Sequence, residues 1–193
     1  MYYVITMHKR NTISTGFTIV ELLIVVVVIA ILAAISIVTY SNFQNRAYDS
    51  AIQHDLNNFA KKIQLAAVDS GDYPPGGAVD VSVGVRTGNQ TLFPGFKFQP
   101  SKSAYDTSVQ NLHYCTGPDS ETGRKIFRVQ ARSRSGNSFL YSSKDGVTNV
   151  GNVFISGTAD TVAAAICAGI AFPRSWSYGY YSVSNSWWGW TNE

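Results

Sequence analysis

From Phe17 to Val38 the sequence has no glycine, no proline and one charge, the carboxylate of Glu21. Without a helix breaker, these roughly 22 residues give about 33 Å of helix, enough to cross a bilayer core of about 30 Å. Charge is scarce throughout: 14% of the 193 residues are Asp, Glu, Lys or Arg, and the formal balance is +3. So small a balance argues against a dedicated nucleic-acid domain on bulk charge alone. No glycine-rich phosphate loop is present. His54 and His113 stand apart from any nucleophile or carboxylate at a catalytic spacing, so neither an enzyme nor a cofactor is expected. Asp69, Asp72 and Asp80 do not follow an ordered oxygen-ligand pattern, and no metal is expected there. Only two cysteines occur, Cys115 and Cys167. Neither has a Cys or His at ligand spacing, which excludes a zinc site of the usual kind.

What is present begins with Glu21 itself. A charge near the centre of a membrane-spanning helix costs about 2.5–3.5 kcal/mol on insertion scales, and less near the interface. One explanation is local. Thr18 and Glu21 have the spacing of a capping box, in which Thr18 is the N-cap and Glu21 reaches back to its backbone N–H. A carboxylate also suits the positive end of a helix dipole.

The second explanation comes from the neighbours. Lys9 and Arg10 precede Gly16, which is followed by Phe17-Thr18-Ile19-Val20-Glu21-Leu22-Leu23 and an unbroken Leu/Ile/Val/Ala run. This N-terminus resembles that of type IV prepilins and pseudopilins. The resemblance implies a leader, residues 1–16, cut by a prepilin peptidase between Gly16 and Phe17, with N-methylation of Phe17. It implies that Glu21 pairs with the freed amine of Phe17 on a neighbouring subunit, with Thr18 and Leu22 beside that contact. Opposite charges in an apolar setting relieve each other's desolvation, so such a pair sets axial register more than it adds stability. The implied fold is α+β, a long N-terminal helix on a C-terminal antiparallel sheet. The implied partners are further copies of the chain in a helical filament, the peptidase, the pilus assembly machinery and the cytoplasmic membrane. Pseudopilins of type II secretion or competence systems share the same N-terminus. A signal-anchored surface protein, with Glu21 only a cap, is the reading from another class.

The leader differs from an ordinary signal peptide, because the apolar run follows the cut instead of preceding it. Lys9 and Arg10 hold the N-terminus inside by the positive-inside rule and place the C-terminal part outside. Met7 is a second start, giving a ten-residue leader. Without Lys9 and Arg10 the chain is nearly neutral. In an exported chain Cys115 and Cys167 read as a disulfide, with two separately buried thiols as the other reading.

Residues 17–38 are the membrane and assembly half of the helix, and residues 39–69 its amphipathic half. There Tyr48, Ile52, Leu56, Phe59, Ile63 and Ala67 recur at helical spacing, leaving Asp49, His54, Asn58, Lys61 and Lys62 more exposed. Many relatives of this family carry Gly and Pro within the apolar half. Here Ala30 and Val38 stand in their place, which predicts a more continuous helix. Ser70-Gly71-Asp72-Tyr73-Pro74-Pro75 ends it.

Residues 70–111 read as a connecting loop region. It contains a short alternating strand at Val79–Val85 and the aromatics Phe93, Phe96 and Phe98 that pin it to the core. Residues 112–193 read as β-rich. Lys125–Ser133 and Ser138–Ser143 form a hairpin around Arg134-Ser135-Gly136-Asn137, and Val147–Ile155 is a third strand. Thr158–Gly169 has the spacing of a short helix. Arg124, Arg128, Arg132 and Arg134 share one parity, opposite Phe127 and Val129. They read either as an anion-contacting stripe for DNA or a charged host surface, or as a solvated face with salt bridges. Trp176, Tyr178 and Tyr180 fit an edge strand or an adhesive patch, and Tyr181, Trp187, Trp188 and Trp190 follow. Asn89-Gln90-Thr91 is a lone glycosylation sequon.

Overall fold

The computed structural model describes residues 16–76, 78–80, 86–87, 96–152, 166–171, 174–188 and 191, with backbone alone for 78–80 and 86–87. Helix α1, Ile19–Ser70, contains 52 residues and runs through Ala30 and Val38 without a break. It stops at Gly71, which adopts a φ of 80°. The Gly71 N–H still donates to the Ala67 carbonyl at 2.9 Å, so the left-handed residue closes the last turn. The chain divides into two compact units, one ending at Asn42 and one starting at Phe43.

The second unit is an antiparallel sheet with the amphipathic part of α1 against it. Its strands are β1 Ala78–Asp80, β2 Arg86–Thr87, β3 Asn111–Pro118, β4 Lys125–Arg132, β5 Ser138–Ser142, β6 Gly146–Gly151, β7 Arg174–Tyr181 and β8 Ser186–Trp187. The order across the sheet is β2-β1-β7-β3-β4-β5-β6, with β8 also paired to β7. Strands β4 and β5 lie where the alternation places them; β6 starts there but ends at Gly151, with Asn152 in a turn. Residues 81–85, Phe93, the Asn89 sequon, residues 153–165 and Trp190 are outside the described residues. Of the expected helix at 158–169, only a turn at 166–169 is described.

Ile52, Leu56, Phe59, Ala60 and Ile63 of α1 bury against Leu112, Tyr114, Phe127, Val129, Ala131 and Phe139. Phe96 and Phe98 close this core, edge-on to Phe59 at ring separations of 5.4 and 5.1 Å. Truncating an aromatic so placed costs about 3–5 kcal/mol, so these contacts decide where α1 lies on the sheet. On the sheet's other face Cys115 and Cys167 are joined, with Cα atoms 5.6 Å apart. Ile126, Ile166, Ile170, Trp176 and Tyr178 pack around them.

Two placements depart from the alternation. Trp176, Tyr178 and Tyr180 lie on an interior strand and not at an edge, because the segment leaving α1 returns as β1 and pairs outside β7. They are 4%, 6% and 2% exposed, which excludes an adhesive patch built on these three rings. Strand β3 was not visible as a strand in the sequence at all. It is buried along almost its whole length, so its two faces do not alternate in polarity. At its start Leu112 takes a φ of 53°. The Asn111 side chain supports that bend by accepting from the Arg132 N–H at 2.8 Å and donating to the Arg132 carbonyl at 2.9 Å.

The exit from α1 depends on one glycine. A Cβ on Gly76 would stand 2.4 Å from the Trp176 carbonyl carbon, and the Gly76 N–H donates to Ser175 Oγ at 2.8 Å. Only a residue without a side chain lets the connection lie this close on β7.

Candidate functional site

The N-terminus of α1 is a closed capping box. Thr18 donates its N–H and its hydroxyl to Glu21 Oε2 at 2.8 and 2.7 Å, and the Glu21 N–H donates back to Thr18 Oγ1 at 3.2 Å. The Leu22 N–H reaches the Thr18 carbonyl at 3.2 Å, the first helical bond. Gly16, Phe17, Thr18, Glu21 and Leu22 are therefore contiguous at one helix end, with Phe17 87% exposed. The Phe17 nitrogen is a peptide amide, and Glu21 Oε2 takes its bonds from Thr18 of its own chain.

Beyond this cap the large apolar residues from Ile19 to Val38 are all exposed, from 48% at Val27 to 84% at Ile19. Nothing in the chain's described residues covers them. An apolar surface of this extent marks either a lipid-facing or a protein-facing side. Its two hydroxyls fit that setting. Ser36 Oγ donates to the Leu32 carbonyl at 2.7 Å and Thr39 Oγ1 to the Ile35 carbonyl at 2.9 Å, so neither requires water. By length and composition the helix is long and apolar enough to cross a membrane.

The four arginines are not gathered into one stripe. Arg124 precedes β4 and is exposed. Arg128 Nη1 donates to the Ala168 carbonyl in the turn after Cys167. Arg132 Nε lies 3.2 Å from Asp106 Oδ2. Arg134 lies past the strand end, with its guanidinium 6.0 Å from the Tyr48 ring of α1. Parity holds only along β4, and Arg134, past its end, lies against α1 and not on the face set by Arg128 and Arg132. Asp72 pairs with Lys125, and among the described residues no group of three His, Cys, Asp or Glu is placed to hold a metal.

Asp55 is the polar feature that sequence reasoning missed. It is buried in the apolar stripe of α1, where its carboxylate accepts from the Ser101 N–H at 2.6 Å, Ser101 Oγ at 3.1 Å and Tyr105 Oη at 3.0 Å. Burial raises its pKa against the pull of those donors. The same burial holds Tyr105 well above its usual range. The signal was present: Asp55 stands three residues after Ile52 and four before Phe59, a core position. Asp49 was expected to be more exposed and is half-buried, bonded to Ser135 Oγ and, at 2.8 Å, to Asn137 Nδ2. Together these carboxylates fasten α1 to the 101–105 segment and to the β4–β5 turn.

His113 is buried between β4 and β7, and desolvation pushes its pKa down to about 3. Its sign is set by the unfolded chain, which takes up the proton near pH 6.5 while the folded chain does not. Stability therefore falls as pH drops from 6.5 toward 3. At pH 5 this group alone costs about 2 kcal/mol, or roughly 4–8 °C in Tm for a chain of this size. Asp55 works in the opposite sense, so the measure is the difference in the pH 7-to-5 Tm change between wild type and His113→Gln in detergent. The variant is expected to lose most of the fall, and an unchanged fall would assign it to other groups.

No family model matches the chain, and no solved structure matches it. The chain is 36% identical over 74 residues to the Type IV wide pilus major component PilA4 of Thermus thermophilus. That stretch is 38% of this chain, and the match spans 56%, about half, of the relative's length. A similar pilus component, a long apolar N-terminal helix packed on an antiparallel sheet in its second half, and the joined cysteines all agree with the resemblance seen at residues 16–38.

Proposed function

We propose that this chain is a type IV pilin, a structural and non-enzymatic subunit. It is stored in the cytoplasmic membrane with its N-terminus inside, and polymerised into an extracellular filament. The carrying observation is the apolar surface of Ile19–Val38, uncovered by its own chain and beginning directly after Gly16-Phe17. In a bilayer, lipid covers that surface; in a filament, other copies of α1 do. Prepilin peptidase and the assembly machinery are the partners that this passage requires. The half-length likeness to a pilus component supports the same reading. Adhesion, motility and DNA uptake are the uses open to such a filament. Arg128 and Arg132 already have protein partners, which favours a structural use of these side chains over an anion-contacting one.

A second reading has one observation behind it. Glu21 Oε2 already accepts two bonds from Thr18, as the cap of a plain anchored protein would. Mass spectrometry of the N-terminal peptide from sheared surface material separates the two. The expected peptide starts at Phe17 and carries an added methyl, and its abundance there favours a pilus over a short secretion or competence pseudopilus. An intact leader on a protein that stays in the membrane would leave only the anchored domain.

A further inference from the structure

We infer that Tyr40 and Phe43 are a headgroup-level anchor that fixes the depth of α1 in the bilayer, and that this depth sets Glu21 at the opposite headgroup level. The inference rests on the membrane storage proposed above and adds a vertical register to it. Tyr40 is 65% and Phe43 71% exposed, one turn apart on α1. Neither ring belongs to the packed clusters of the fold, so the core does not account for them. They stand where the lipid-compatible surface ends. Before them, Ile19–Val38 presents apolar side chains, and Ser36 and Thr39 return their hydroxyls to carbonyls of α1. Around and after them come Ser41, Asn42, Gln44, Asn45 and Arg46, all exposed.

A tyrosine at such a boundary settles in the interfacial layer, with its ring against the acyl chains and its hydroxyl toward water. Phe43 adds apolar area on the same side of the helix. Arg46, one turn further, lays its stem along α1 and carries its guanidinium to the lipid phosphates. The rings continue the surface of Ile19–Val38 without a break in the helix, so the lipid that covers that surface reaches them too. The helix then acts as a ruler. Tyr40 and Glu21 are 19 residues apart, about 29 Å of helix against a hydrocarbon core of about 30 Å. With Tyr40 at one boundary of the core, Glu21 and its Thr18 cap lie at the other, where a carboxylate costs least. A slide of two turns would carry Glu21 about 11 Å into hydrocarbon.

The test uses the full chain in vesicles of phosphatidylethanolamine and phosphatidylglycerol. Cys115 and Cys167 stay in their disulfide, and a nitroxide is attached to one added cysteine, Asn42→Cys or Leu23→Cys. Power saturation with oxygen and a nickel chelate reads the depth of each label from the nearer interface, in either orientation of the chain. With Tyr40 and Phe43 in place, each label is expected within about 5 Å, one helical turn, of its core boundary. Tyr40→Leu/Phe43→Leu extends the apolar run to position 43. Recentring is then expected to move the Asn42→Cys label deeper and the Leu23→Cys label shallower, each by about 4 Å. Tyr40→Trp/Phe43→Trp keeps interfacial rings and is expected to keep both original depths. Labels that do not move in the leucine variant, or that move at one end only, would overturn the anchor and leave the membrane reading standing. Release of the wild-type chain from the vesicles by alkaline carbonate would overturn both.

Discussion

Glu21→Gln is expected to abolish surface filaments while leaving the amount of chain in the membrane unchanged. The substitution separates two roles that coincide in one side chain. Gln serves a capping box as Glu does, so the bonds from the Thr18 N–H and hydroxyl survive. Only the charge goes. A neutral amide removes an insertion cost that reaches about 2.5–3.5 kcal/mol at the centre of a span and is smaller near its end, so membrane storage does not suffer. Under the proposed cleavage, assembly suffers because the amine freed at Phe17 would enter an apolar bundle with no counter-charge, and breaking one partner of a desolvated pair costs about 3–5 kcal/mol. Against a supply of subunits in the membrane, that cost per added copy shifts polymerisation by at least a hundredfold. Immunoblots of sheared and membrane fractions read both quantities. Thr18→Val is the converse change: it breaks the cap and keeps the charge, and is expected to cost only about 1 kcal/mol of helix-end stability. Normal filaments with Glu21→Gln would reduce Glu21 to a cap and favour the anchored-protein reading.

The parts of the molecule that were legible in the sequence are those with one strong period. The helix shows itself by an apolar run, then by Ile52, Leu56, Phe59 and Ile63 at helical spacing, and all four are buried. Its end is fixed by Gly71. The β4–β5 hairpin alternates because one face meets α1. Strand β3 carries no such signal, since both its faces are covered. The place of β7 inside the sheet depends on which strand joins its outer side, a choice made by β1 across 96 residues of chain from its first residue to Arg174. Local sequence cannot record that choice. Asp55 shows the same limit. Its position in the stripe was readable, but its partners at Ser101 and Tyr105 meet it only when the 96–106 segment lies along the helix. The arginine parity fails at Arg134 for a plainer reason: that residue lies past the end of the strand whose period was applied.

Removing the disulfide with Cys115→Ala/Cys167→Ala is expected to lower stability by about 4 kcal/mol, or roughly 8–16 °C in Tm. The bridge spans a sequence separation of 52 residues, and a loop of that length gives this value in the chain-entropy model. The native geometry indicates how much of it survives. The turn after Cys167 is also tied down without sulfur. Ser120 N–H donates to the Gly169 carbonyl at 3.0 Å, Ala171 N–H to the Pro118 carbonyl at 2.6 Å, and Arg128 to the Ala168 carbonyl. Those bonds act on the folded state, whereas the bridge acts mainly by restricting the unfolded one. The folded turn therefore keeps its place in the variant, and the loss appears in the equilibrium. Both cysteines are 0% exposed, so alanine also leaves a small void beside Ile126 and Trp176. Thermal melts of the detergent-solubilised chain with and without reductant, beside the double-alanine variant, measure the two contributions. A Tm within 2 °C of wild type would mean that the backbone ties alone hold this end of the sheet. Filament yield should follow Tm and not the disulfide itself, because the apolar surface of Ile19–Val38 lies in a separate compact unit from both cysteines.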